Sequence, residues 1–194
     1  MKKSARQLQK EQTRETLLSA AYEVFSRQGI VKTRMEDVAK EANVSHGTVF
    51  AHFKTQEALV DSVVGYFGRQ MALDTHQKAA EEASLSAVLD AHLQGIAAHE
   101  GFYTRLVQER GQLPQGAKES FAGIQAAVSL HFSMALEREG VTDKLHLPAH
   151  LLFSIWTGLV HHYLLNADQY APGGGVIPKH GDMLKISFLR LINR

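Results

Sequence analysis

Cysteine is absent from the 194 residues. That excludes disulfides, thiolate zinc sites and a cysteine nucleophile, and it fits a reducing cytoplasm, the expected compartment. No window approaches 18 uninterrupted apolar residues, so no transmembrane helix is expected. The first fourteen residues are basic and polar with no apolar stretch behind them, unlike a signal peptide. Alternating apolar and polar residues bounded by hairpin turns are missing, and so is any internal repeat. Catalytic signatures are missing too: the chain has no P-loop, GxSxG, HExxH or glycine-rich dinucleotide loop. Gly173-Gly174-Gly175 fits none of these and reads as a flexible connector between Pro172 and Pro178. Neither an enzyme nor a cofactor is expected.

What is present is helical period almost throughout. From Thr13 to Gln28, Leu17, Leu18, Ala21, Val24 and Phe25 fall three and four apart, and Gly29 closes the segment. Thr33-Arg34-Met35-Glu36 has the form of a capping box opening a short helix to about Ala42. Ser45 is placed to cap a second short helix through Phe53, and Thr55 a long one starting near Gln56. Longer helices are expected at about 56–80, 85–99, 102–110, 117–139, 147–168 and 180–192, with breaks at Ser84, Gly111–Gly116, Gly140–Asp143 and Pro172–Pro178. The fold class is therefore all-α. The change in helix length divides the chain into an amino-terminal unit, 1–55, and a larger helical unit, 56–194.

The formal net charge of +1 is unevenly spread. Residues 1–60 hold ten Lys/Arg against seven Asp/Glu, and residues 61–194 hold eleven against thirteen. In the first fourteen, Lys2, Lys3, Arg6, Lys10 and Arg14 face only Glu11. Such a front end suits a polyanion, and it equally suits a solvated tail.

Residues 35–53 have the pattern of two short helices around a tight turn. Val38, Ala42, Val44 and Val49 are apolar where the helices must face each other, and Ala39 is small enough for a close crossing. Asn43 stands at the turn, where the left-handed region must be tolerated. A helix-turn-helix needs this combination because its second helix must enter a groove about 12 Å wide while the first braces it.

The stretch from Thr33 to Lys54, TRMEDVAKEANVSHGTVFAHFK, resembles the DNA-binding signature of the TetR family of bacterial repressors. Ala20-Ala21-Tyr22-Glu23-Val24-Phe25 before it and Glu57-Ala58-Leu59 after it extend the likeness over about residues 12–65. The resemblance implies a three-helix reading head followed by a helical ligand-binding and dimerisation body. DNA-binding candidates are Thr33, Arg34, Ser45, His46, Gly47, Thr48, Phe50, Ala51, His52 and Lys54. Gly47 lets the backbone approach the duplex, and Ser45, Thr48 and the helix amides can donate to phosphates. His46, Thr48, Ala51 and His52 are candidates for base edges, Ala51 for a thymine methyl. His52 is equally a candidate for packing. Arg34 and Lys54 stand as phosphate clamps. Two positions depart from the family pattern. Phe50 replaces a common tyrosine whose hydroxyl meets a phosphate, which opens it to a partly core role, and Gln56 replaces a common lysine.

For the body the resemblance implies a small-molecule pocket, a homodimer formed through about 147–168 and 180–192, and a palindromic double-stranded DNA operator. Phe102, Tyr103, Phe121, Phe132, Phe153 and Trp156 are candidates to line a largely apolar effector pocket, and equally candidates for core. The last helix carries Leu184, Phe188, Leu191 and Ile192 on one stripe, with Ile186 and Leu189 beside it. No metal is expected: His161 and His162 point about 100° apart on a helix and cannot chelate one ion. The expected activity is repression relieved by a ligand. A ligand-free architectural protein of the same fold, or an activator, are the alternatives.

Overall fold

The structure is a computed structural model that describes residues 4–78 and 83–193. Lys2 and Lys3 of the basic front end, and the expected close of the long helix at residue 80, lie outside the described residues. The described residues are all-helical: α1 (Ala5–Gln28), α2 (Met35–Glu41), α3 (His46–His52), α4 (Gln56–Lys78), α5 (Leu85–Ala98), α6 (Glu100–Glu109), α7 (Gln115–Arg138), α8 (Val141–Leu145), α9 (Ala149–Leu165), α10 (Ala167–Tyr170) and α11 (Val176–Ile192). A single 3-10 turn, Arg110–Gln112, joins α6 to the next helix.

Helix α1 starts eight residues earlier than the apolar spacing indicates. Ser4 and Gln7 form a reciprocal capping box: the Gln7 amide donates to Ser4 Oγ at 3.3 Å and the Ser4 amide to Gln7 Oε1 at 2.9 Å. The first buried residue of α1 is Leu17. An exposed stretch of helix leaves no hydrophobic period to read, so what looks like a tail is two further turns carrying Arg6 and Lys10.

The expected capping box at Thr33 and Glu36 is corrected by one position. Arg34 is the N-cap of α2, and its amide donates to Asp37 Oδ2 at 2.8 Å. Thr33 is only 1% exposed; its hydroxyl donates to the Gly29 carbonyl at 2.6 Å, and its carbonyl accepts from Gln56 Nε2 at 2.7 Å. It locks the turn between α1 and α2 rather than facing solvent. The later helix ends shift by a few residues. Val141–Leu145 forms a short helix that starts in the expected break and runs two residues past it, and α11 begins at Val176 inside the expected connector. Pro178 is tolerated there because the first turn of a helix needs no amide from it. Both Glu100 carboxylate oxygens accept from that turn, from Val176 and Ile177 at 2.8 Å, which ties the glycine connector to α6.

One cluster of buried apolar side chains runs from Leu17, Val38 and Val49 in the head through Val63 and Phe102 to Trp156 and Phe188 in the body. Helix α4 packs along α7, while α1 packs against α4 and α6. The head is also latched to the body by polar contacts. Glu109, the last residue of α6, accepts from the amides of Ile30 and Val31 at 2.8 and 2.7 Å. Gly29 makes room for it: φ is +100°, and a Cβ there would collide with Glu109 Oε1. Asp61 on α4 accepts from the Ala117 amide in the first turn of α7 at 2.6 Å. No helix among the described residues is long and apolar enough to cross a membrane.

Candidate nucleic-acid interface

Helices α2 and α3 turn on Asn43, which adopts φ +52°, the left-handed conformation its side chain tolerates. Ser45 then caps α3, its Oγ accepting from the Thr48 amide at 3.2 Å and lying 2.9 Å from the Thr48 hydroxyl. On the inner face, Val49 is fully buried and Phe53 nearly so. The outward face is a stripe of His46, Gly47, Phe50 and Ala51, all exposed at the i, i+1, i+4, i+5 positions of one helical side. Phe50 is therefore not core: it is 38% exposed, and its ring meets His46 edge-on at 4.6 Å with 72° between planes.

The remaining candidates divide. Arg34 and Lys54 are exposed at either end of the motif. Thr48 and His52 are half-buried beside the stripe. His52 Nδ1 is shut away from solvent with no hydrogen-bond partner, so that atom is not available to DNA. Burial, then the positive charges of Lys10 and Arg14, hold the His52 imidazole below its ordinary pKa. Thr33 is corrected as a contact residue, since its side chain is enclosed behind the turn. Arg14 belongs to the scaffold as well. Its guanidinium lies 4.8 Å over the Phe53 ring and donates to Ser62 Oγ at 3.1 Å, joining α1, α3 and α4. The pattern of residue types gave no sign of this brace, because its three members are scattered over 48 positions.

The six aromatic candidates of the body are not brought into one open pocket. Phe102 packs at the head–body junction, 4.9 Å from Tyr22 and 6.2 Å from Phe67. Tyr103 meets Phe121 at 5.8 Å, and Phe132 meets Phe153 at 5.3 Å, while Trp156 meets Phe188 at 5.4 Å. All but Phe153 are buried, and none of the six lines a described cavity. Two of them, Trp156 and Tyr103, also make polar contacts. Trp156 Nε1 donates to His92 Nδ1 at 2.9 Å, Gln125 Nε2 donates to the Tyr103 hydroxyl at 2.9 Å, and that hydroxyl lies 3.0 Å from His161 Nε2. Burial depresses His92 to about 3, with a smaller push from His161, and raises the Tyr103 phenol. His161 and His162 diverge as their helical spacing requires, the second lying 3.1 Å from the Tyr170 hydroxyl. Among the described residues no group of three or more metal-ligating side chains converges.

The last long helices split their apolar residues. Leu184, Phe188 and Ile192 of α11 are buried within the chain, whereas Met183, Ile186 and Leu191 are exposed, as are Leu151, Ile155 and Leu165 of α9. Sequence periodicity alone merges these two sets.

A short-helix head whose third helix stands outward, set on a body of long helices, is the architecture of a helix-turn-helix regulator. Residues 17–63 match the family model described as bacterial regulatory proteins, tetR family. An HTH-type transcriptional repressor of Mycobacterium tuberculosis is 31% identical over 83 residues, a match spanning 43% of this chain and 44% of the relative's length. The chain thus aligns with less than half of that relative. The HTH-type transcriptional regulator LuxR of Vibrio harveyi is 27% identical over 164 residues, 80% of this chain and 79% of that protein. Among solved structures, a transcriptional regulator from Rhodococcus superposes with a TM-score of 0.75 at 16% identity, over 92% of this chain and 95% of the other. The regulator FadR from Bacillus subtilis, solved with stearoyl-CoA, superposes with a TM-score of 0.69 at 19% identity, over 92% and 97%. The match to the tetR family thus lies in residues 17–63, and the solved structures share the fold of the chain.

Proposed function

We propose that the chain is a transcriptional repressor that binds a palindromic operator as a homodimer and is released by a small, largely apolar effector. The observation that carries the proposal is the outward stripe of α3, rigidly backed by Val49, Phe53 and the Arg14 brace. A helix N-terminal half presented in this way fits the major groove, with Arg34 and Lys54 available to phosphates on either side. Thr48 and His52 supply further polar contacts from the flank. Arg6 and Lys10 on the projecting start of α1 add positive charge, as does the basic segment before it.

The exposed apolar residues of α9 and α11 supply the dimer surface, since two helices with outward Leu, Ile and Met gain cover from a second copy. Two heads then address successive major grooves about 34 Å apart. The effector acts by favouring an arrangement in which α4 moves the heads off that spacing. A ligand-free DNA-binding protein of the same fold is the second reading, and the close packing of the body's aromatic residues favours it. Selection from a random duplex pool with the full-length protein tests the first proposal. An enriched inverted repeat bound by a particle of twice the chain's mass is expected; a monomer, or no enrichment, contradicts it. A thermal-shift series with apolar small molecules separates sensor from ligand-free protein.

A further inference from the structure

The reading stripe carries an exposed phenyl ring where a polyanion is to be met, and that ring calls for an account. Phe50 has no hydroxyl to offer a phosphate, and more than a third of it is in water. Its ring meets that of His46, one helical turn back, edge-on, a contact that favours one placement of the ring on the stripe. Beside it Ala51 presents only a methyl group and Gly47, a turn back from Ala51, no side chain, so Phe50 is the bulkiest apolar group on the exposed stripe. The floor of a major groove offers one protruding apolar group, the C5-methyl of thymine; the other distinguishing groups there are hydrogen-bond donors and acceptors.

We infer that Phe50 is a specificity-determining residue that reads thymine C5-methyl groups in the major groove, with Ala51 completing the apolar contact and His46 holding the ring in place. The inference rests on the proposed DNA-binding function and adds the chemical feature that is recognised. Burying a methyl against a phenyl face is worth about a fourfold change in affinity, within a range of roughly threefold to tenfold. This gain is sequence-specific, unlike a tyrosine hydroxyl on a phosphate, which positions the helix without reading bases. The operator half-site is therefore expected to contain thymine opposite the middle of α3, and to tolerate its replacement poorly.

The test removes one methyl at a time. In a duplex selected by the full-length protein, each thymine of a half-site is replaced singly by deoxyuridine, which keeps every hydrogen-bonding group. One or two replacements should weaken binding by roughly threefold to tenfold. Phe50→Ala should lose a similar factor on the thymine duplex and lose nothing further on the deoxyuridine duplex, whereas Phe50→Tyr, which keeps the ring, should still register the methyl. Unfolding midpoints equal to that of the parent show that the variants are folded. Affinity indifferent to every deoxyuridine, or a deoxyuridine effect of the same size in Phe50→Ala, would overturn the inference while leaving DNA binding intact. Failure to select any duplex would overturn DNA binding and the inference together.

Discussion

The head and the body use polar residues in opposite ways. In the head, polar side chains terminate helices and turn corners, and the outward face of α3 is left unencumbered: Ser45 caps, Asn43 turns, Thr33 locks the loop, and His46 and Ala51 face out. In the body, polar side chains are turned inward and satisfy one another across helices, as Trp156 does with His92 and Tyr103 with Gln125 and His161. A buried network of that sort is costly when incomplete and rigidifying when complete. The difference separates an exposed helix face left open from a core whose polar groups specify one packing. The two meet at Glu109, whose carboxylate takes the two amides that follow Gly29.

Disrupting the body should therefore be felt in stability far more than in the reading surface. Trp156→Ala removes a fully buried indole and strands His92, and should cost about 4 kcal/mol in urea-induced unfolding. The folded fraction should keep its DNA affinity; a loss of affinity without loss of stability would erase the contrast.

Acid should act on the body next. His92 is held neutral in the folded chain down to about pH 3, whereas an unfolded chain takes the proton near pH 6.5. Below pH 6.5 the unfolded state binds more protons, so stability falls as pH drops through this window, by about 2 kcal/mol at pH 5 from this residue alone. His52, His99 and His161 are shifted in the same direction and steepen the trend. Melting curves between pH 7 and pH 4 check this, and a flat profile would contradict the buried neutral imidazole.

Ser45→Ala probes the head by itself. Loss of the cap on α3 should destabilise by about 1 kcal/mol and fray the start of the reading helix. Measured by denaturation and by duplex affinity together, it should lower both slightly. An effect on neither would mean that the cap does not organise the stripe.

How much of this was readable from the chain follows from the range of the interactions. Asn43, Ser45 and Thr55 act within three or four residues of themselves, and the helix-turn-helix was accordingly visible in order and spacing. Thr33 misled by one register because Asp37, four residues on, competes with Glu36 for the cap and wins at Arg34. The first turns of α1 were hidden since they bury nothing before Leu17. In the body the pairings that matter span 64 positions for His92 and Trp156 and 58 for Tyr103 and His161, and no local pattern announces them. Phe50 was the subtler case: a DNA-binding candidate open to a partly core role, it proves exposed because Val49 and Phe53 already fill the inner face.

The central claim is that the outward stripe of α3 meets DNA, and Ala51→Glu tests it most directly. A carboxylate placed on that stripe faces the phosphates and costs the fold nothing, because Ala51 is exposed. In a titration of full-length protein on its selected duplex, affinity should fall on the order of a hundredfold with the unfolding midpoint unchanged. An affinity equal to that of the parent chain would contradict the account.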